Sequence, residues 1–142
     1  MLRLTVDTNV VASAFRSRSG ASFALIELIW RKKLRMLATP PLFLEYEAVL
    51  KRPEQLVASC LTLTEISAAL DALATLIEPV ETYLSWRPQL DDPDDEMVLE
   101  AAINSRAGAL VTYNTAHFQA AAPRFGVRLA RPIEILREVI EP

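Results

Sequence analysis

Short runs of aliphatic residues alternate with longer helical segments along the chain, and this alternation restricts the fold more than any other feature. Strands are expected at 2–6, 34–38, 109–112 and 127–130, with a brief strand near 79–81. Parallel strands need crossover connections, and helices supply them. The sequence therefore predicts an α/β fold, a three-layer α/β/α sandwich with a central parallel sheet.

Helices are expected wherever apolar residues recur at helical spacing between these strands. They are predicted at 21–33, from Pro40 to Pro53, at 56–61, at 65–76 behind a Thr64 cap, from the acidic run 91–96 to about 106, and at 132–140. Pro40 and Pro93 suit a first helical turn, where the missing N–H would have no partner. Carboxylates in the acidic run are also favoured by the helix dipole.

Length and composition predict one domain. The chain has 142 residues, of which 51% are hydrophobic, and only three glycines, with no linker or repeat that marks a boundary. Residues 1–142 are therefore expected to fold as a single unit. Cys60 is the single cysteine and cannot form an internal disulfide, so a cytoplasmic location is expected. No stretch approaches the ~18 apolar residues that cross a bilayer, so no membrane partner is expected.

Two polar residues follow predicted strands directly: Asp7 after the first and Asn114 after the strand at 109–112. In parallel α/β sheets, ligands bind beyond the carboxyl ends of the strands, which makes both residues candidates for a site. Thr8 and Asn9 can hydrogen-bond to Asp7 and fix its orientation. A plain turn-forming role is the alternative for Asp7.

Glu45, near the start of its helix, and the acidic run 91–96 add further carboxylates. Crowded carboxylates repel one another unless cations intervene, and hard oxygen ligands suit Mg²⁺ or Mn²⁺. Such ions activate a water molecule and stabilise a leaving oxygen, so phosphoryl transfer is the natural use of this set. An ordinary solvated helix start is the alternative interpretation for each.

A net charge of −3 argues against broad binding to phosphate backbones. It does not exclude a site that acts on phosphate esters, because metal ligands contribute negative charge that bound cations offset. Arg16 and Arg18, after the first strand, and Lys51 and Arg52, after the Glu45 helix, are the candidates for substrate binding. Ordinary solvated charge explains each of them equally well.

Four strings in this order resemble the PIN-domain family: Val6-Asp7-Thr8-Asn9-Val10, Glu45-Tyr46 followed by 49–53, Asp92-Pro93-Asp94-Asp95, and Val111-Thr112-Tyr113-Asn114. Together they span nearly the whole chain. His117-Phe118 and the segment 132–136 are also similar to the branch of toxin ribonucleases found in toxin–antitoxin pairs.

The resemblance implies an endoribonuclease that depends on Mg²⁺ or Mn²⁺, with Asp7, Glu45 and Asp95 as catalytic metal ligands. Asp95 is preferred because 97–99 and 102 then fit the apolar positions that follow the family's third acid. Asp94 is the alternative. The implied partners are RNA and a cognate antitoxin protein, and apolar surface residues would also suit a homodimer.

The fourth acidic position of many family members falls on Asn114, which departs from the general pattern. An amide can coordinate a metal but carries no charge, so the resemblance implies weaker binding at one metal position. Thr112 is expected to orient Asn114 or a bound water. His117, the one histidine, is expected in a loop, and a metal-activated water needs no such base.

Two rival functions remain. A receiver-like phosphoacceptor domain also places acids and a threonine at strand ends, but it would need a lysine that 127–131 lacks. A degenerate PIN fold acting as a protein-binding module is the other rival, and Asn114 is the one residue in its favour. Trp30 is expected to pack in the core, whereas the loop position of Trp86 leaves its role open.

Overall fold

The computed structural model describes residues 1–82, 90 and 92–140. In this part of the chain, five strands form one sheet in the order β3-β2-β1-β4-β5, and every neighbouring pair is parallel. The strands are β1 (Arg3–Val6), β2 (Arg35–Ala38), β3 (Ile77–Pro79), β4 (Ala109–Val111) and β5 (Leu129–Ala130). The predicted α/β fold with a central parallel sheet is confirmed.

Helices connect and cover the strands. Those in the described residues are α1 (Thr8–Arg16), α2 (Ala21–Trp30), α3 (Pro40–Leu50), α4 (Pro53–Ser59), α5 (Leu63–Leu76), α6 (Pro93–Ser105), α7 (Thr115–Phe118) and α8 (Pro132–Ile140), with a 3₁₀ turn at Ala122–Phe125. Within the same residues no single helix is long and apolar enough to cross a membrane, and only the pair α4 and α5, bent by 83°, passes that test together.

The central strands are buried on both faces. Successive strand residues point to opposite faces, yet Leu4, Thr5 and Val6 of β1 are all fully buried, as are the three residues of β4. Helix α6 packs on β1, β2 and β4, while α1 contacts α2, α3 and α4. The aliphatic residues from which strands were predicted therefore lie at the centre of the core.

Helix α1 is absent from the sequence-based assignment. It begins at Thr8, so only Asp7 separates it from β1, and its buried residues are Val10, Val11, Ala12 and Ala14. Adjacent β-branched valines favour strand rather than helix, and tertiary packing overrides that preference here. Asp7 therefore stands between a strand and a helix, not in a turn, and its side chain does not cap α1.

Several predicted boundaries were wrong. Helix α2 ends at Trp30 rather than 33, since Lys32 adopts a positive φ of 61° that a right-handed helix cannot continue. Helix α4 lies at Pro53–Ser59 rather than 56–61, because Pro53 opens it. Strand β3 is Ile77–Pro79 rather than 79–81, and its backbone pairs with β2.

The cap of α5 is Thr62 rather than Thr64. The Thr62 hydroxyl accepts a hydrogen bond from the Glu65 amide at 3.1 Å, and the Glu65 carboxylate accepts one from the Thr62 amide at 3.1 Å. This reciprocal capping box needs the glutamate three residues after the cap, which Thr64 does not have. Thr64 therefore lies inside the helix.

Trp30 is not a core residue, because 57% of its surface is exposed at the end of α2. Cys60 is an exposed free thiol. Trp86, Asp91 and the segment 83–89 lie outside the described residues.

Candidate functional site

The carboxyl ends of β2, β1 and β4 lie side by side and carry the predicted site. Asp7 follows β1, α3 with Glu45 begins after β2, and Thr112 follows β4. Neighbouring parallel strands end at the same edge of the sheet, so residues far apart in sequence meet there. Asp95, in the first turn of α6, reaches the same place from a helix that packs on these strands.

Asp7 is buried and held by a hydrogen bond. Its Oδ2 accepts from the Thr112 hydroxyl at 2.7 Å, and its backbone N–H donates to the Val111 carbonyl at 2.8 Å. Burial raises the pKa of Asp7 above its ordinary 3.8, the Thr112 bond opposes that rise, and the nearby Asp95 adds to it. The Thr112 hydroxyl and the Thr8 backbone N–H both hydrogen-bond to this carboxylate and hold it in place.

Asp95 is buried as well, whereas Asp94 is exposed. Asp95 Oδ2 lies 3.0 Å from His117 Nδ1, and since a carboxylate only accepts, the ring nitrogen donates. Burial raises the pKa of Asp95, the His117 bond opposes the rise, and Asp92 and Asp94 reinforce it. The burial of Asp95 favours it over Asp94 as the third acid.

Glu45 is half-buried on α3 and faces the other acids. Burial raises its pKa above the ordinary 4.5, and the charges of Asp94, Asp92 and Asp7 raise it further. Arg52, the residue before α4, lowers the same pKa. The acids of α3, α6 and the end of β1 therefore form one electrostatically connected group.

Tyr46, next to Glu45, is fully buried, and its hydroxyl donates to the backbone carbonyl of Val6. Burial, with the charge of Asp7 as a second cause, raises the pKa of Tyr46 well above 10.0, so the phenol stays neutral. This bond joins α3 to the end of β1. Tyr46 stands in the Glu45-Tyr46 motif, but the motif alone does not indicate this contact.

Asn114 contributes through its backbone. Its N–H donates to the Thr112 hydroxyl at 2.9 Å, its carbonyl accepts from the His117 N–H at 3.0 Å, and its side chain is exposed. Asn9 contacts the same segment, because its side-chain oxygen accepts a hydrogen bond from the Tyr113 amide at 3.4 Å. His117 itself lies in the short helix α7, not in the predicted loop.

The predicted substrate-binding residues do not all reach the acids. Arg16 lies at the far end of α1, roughly 13 Å from its start for a helix of this length, and donates to Gln55 at 3.0 Å. Arg18 is exposed beyond it. Lys51 is 3.5 Å from Glu47, whereas Arg52 acts on Glu45. Of these four basic residues, Arg52 is therefore the one whose charge acts on an acid of the site.

A family model described as the PIN domain matches residues 3–116, which is most of the chain. The chain belongs to the PIN domain family. No curated protein sequence matches it. The family match also argues against the receiver-like alternative.

Solved structures share the fold of this PIN domain. VapBC2 from Rickettsia felis, in a structure with a DNA fragment from its promoter, has a TM-score of 0.63 at 14% identity, over 92% of this chain and 98% of that chain. FitAB bound to an IR36 DNA fragment has a TM-score of 0.56 at 14% identity, over 91% of this chain and 94% of that chain. At this identity the likeness shows the fold.

The acids of the PIN domain are of the chemical type that binds divalent cations, but they do not form a closed metal cage. Among the described residues, no group of three or more Asp, Glu, His or Cys side chains is placed to hold a metal ion. Asp7, Glu45 and Asp95 instead lie near enough for neighbouring carboxylates to raise the pKa of each. A hard cation among them would relieve that repulsion.

Proposed function

We propose that this PIN domain is an endoribonuclease that depends on Mg²⁺ or Mn²⁺, with Asp7, Glu45 and Asp95 as its metal ligands. The observation that carries the proposal is the convergence of these acids, from β1, α3 and α6, at one edge of the sheet. Burial and neighbouring carboxylates raise the pKa of each of these acids, so their ionised forms are costly without a cation, and such perturbed groups are typical of functional sites.

The chain's own side chains have distinct tasks in this proposal. A bound cation would supply an activated water and neutralise charge on the phosphate. Asp7 binds it from a carboxylate fixed by Thr112, and Asp95 binds it from one fixed by His117. Glu45 approaches from α3, where Arg52 also supplies a positive charge for the RNA backbone. No protein base is required.

We further propose that the protein is the toxin of a cytoplasmic toxin–antitoxin pair. The motif resemblance supports this, as does the fold shared with VapBC2 and FitAB over nearly the full length of each chain. The partner would be a cognate antitoxin protein. Exposed apolar side chains such as Trp30 and Val57 offer surface for that partner or for a homodimer.

A cleavage assay tests the enzymatic proposal. Labelled RNA is incubated with the protein and Mn²⁺, with and without EDTA, beside Asp7→Asn and the matched control Asp71→Asn, whose residue is exposed on α5. We expect cleavage by the wild type and by the control, and none with EDTA or Asp7→Asn. Cleavage that survives EDTA or Asp7→Asn would rule out this mechanism.

A second candidate, a protein-binding module on a degenerate PIN fold, is favoured by one observation. Asn114 stands where many family members carry an acid, and its side chain is exposed. If folded wild-type protein cleaves no RNA with either cation, while a partner protein binds the wild type and Asp7→Asn equally, the binding module replaces the enzyme.

A further inference from the structure

Two carboxylates of the site are held by one short segment, the 112–117 turn, which runs from Thr112 to His117. Thr112 donates to Oδ2 of Asp7 at 2.7 Å, and His117 donates to Oδ2 of Asp95 at 3.0 Å. The two acids belong to elements 88 positions apart in sequence, counting from 7 to 95. The turn is therefore a direct link between them.

The 112–117 turn is braced internally. Asn114 donates its N–H to the Thr112 hydroxyl at 2.9 Å and accepts the His117 N–H at 3.0 Å. Phe118, directly after the turn, is fully buried, and the Thr112 N–H donates to the Ala130 carbonyl of β5 at 3.0 Å. Both ends of the turn are thus anchored in the core, which fixes the spacing of the two donors.

We propose that His117 is a positioning residue that holds Asp95 for cation binding, as Thr112 holds Asp7. The inference rests on the proposed metal-dependent function. The bond from Nδ1 commits Oδ2 of Asp95 to the protein and keeps Oδ1 for the cation. Metal-binding carboxylates are commonly oriented by such outer hydrogen bonds.

A merely structural role does not explain His117. Its side chain is 53% exposed, whereas the Asp95 side chain is only 12% exposed, so the contact orders the acid more than it fills the core. Phe118 already anchors α7. A general-base role is not required either, because in the proposed function a bound cation would activate the water.

Manganese binding, measured by titration calorimetry on the full chain, tests the proposal. The variants are His117→Ala, His117→Gln and His117→Asn, with Gln119→Ala as the control, since Gln119 is an exposed polar neighbour. His117→Ala and His117→Gln should weaken Mn²⁺ binding by roughly 10- to 100-fold. His117→Asn should keep most of the affinity, because its amide nitrogen takes the place of Nδ1, and Gln119→Ala should match the wild type.

Thermal unfolding without metal separates positioning from folding: every variant should unfold in one cooperative transition, with the melting temperature of His117→Ala slightly lowered because Asp95 loses a donor. Equal Mn²⁺ affinity of wild type and His117→Ala, with binding lost in Asp7→Asn, overturns this inference and leaves the proposed function intact. His117→Asn as weak as His117→Ala, or a metal-free His117→Ala that no longer unfolds in one cooperative transition, overturns it too. If the wild type shows no Mn²⁺ binding that Asp7→Asn abolishes, both this inference and the proposed function are overturned.

Discussion

The hydroxyl of Tyr46 donates a hydrogen bond to the backbone carbonyl of Val6, so the helix that carries Glu45 is fastened to the strand that delivers Asp7. Each partner in this bond is the immediate neighbour of one of the two acids. The bond is fully buried, and no charge on the phenol weakens it. It therefore links the two backbone segments that carry Asp7 and Glu45.

Tyr46→Phe should lower both stability and cleavage. The substitution keeps the ring but leaves the buried Val6 carbonyl without this donor, which costs roughly 1–3 kcal/mol in the free energy of unfolding. Urea denaturation measures that loss, and Mn²⁺-dependent RNA cleavage measures the displacement of α3. Leu44→Ala, at an exposed position of the same helix, is the comparison. An unchanged denaturation midpoint in Tyr46→Phe would show that the bond contributes nothing.

Asp7→Asn should stabilise the metal-free protein at neutral pH while abolishing cleavage. Folding raises the pKa of Asp7 above 3.8, so the native state binds more protons than the unfolded state between that value and the raised one. Stability due to this group is present below pH 3.8 and is lost as pH rises through the raised pKa. The amide cannot ionise and avoids the loss.

Melting curves of wild type and Asp7→Asn, recorded without metal across this pH range, check the sign. The two melting temperatures should converge in acid, and Asp7→Asn should melt higher at pH 7. Asp71→Asn on the exposed side of α5 should follow the wild type throughout. A wild type that melts above Asp7→Asn at pH 7 would show that ionised Asp7 is favoured by folding.

The sequence predicted the parts of this site that depend on local pattern. Buried parallel strands are aliphatic throughout and end in polar residues, which is why β1 and Asp7 were recognised together. The helix after Asp7 was missed because Val10-Val11 favours strand locally, and only packing shows that it is helical. The Thr62 cap was detectable, since Glu65 lies three residues on, but Thr64 stood closer to the apolar run.

Long-range contacts could not be predicted in the same way. The bond between Asp95 and His117 spans 22 residues and depends on how α6 and α7 pack. Nothing in the local sequence distinguishes such a histidine from a solvated one. The exposure of Trp30 has the same origin, because a tryptophan at the end of an apolar helix is buried only if a neighbouring element covers it.

Glu78→Gln should destabilise the protein near neutral pH but not in strong acid. Glu78 lies 2.6 Å from Arg3 and 3.3 Å from Arg35, and the hydrogen bond from Arg3 is the main cause that lowers its pKa below 4.5. A lowered pKa contributes stability above the ordinary value that is lost as pH falls through the lowered one. The side chains in these ion pairs are largely solvated, so the effect on stability is small.

Thermal melting at pH 7 and at pH 2 to 3 measures this difference. Raised salt should shrink it, because exposed ion pairs are screened. Glu54→Gln, at an exposed position in the first turn of α4, is the matched control. A Glu78→Gln penalty that persists unchanged in acid would mean that packing, not charge, is responsible.

Asn114→Asp should strengthen metal binding. The substitution adds a carboxylate two residues after Thr112, which holds Asp7, and leaves the backbone contacts of residue 114 in place. We expect a higher affinity for the more weakly held cation and a smaller preference for Mn²⁺ over Mg²⁺. Titration calorimetry with each ion measures both. Identical isotherms for wild type and Asn114→Asp would show that this position does not tune the metal.

The hydrogen bond between Asp7 and Thr112 joins residues 105 positions apart. At a synthesis rate of 5 to 20 residues per second, the first acid to leave the ribosome waits roughly 5 to 20 s for its partner to be made. His117 follows later still. If the proposed activity is correct, the catalytic centre of the nascent chain is therefore incomplete, and harmless to the RNA around it, at least until Thr112 and His117 have been made.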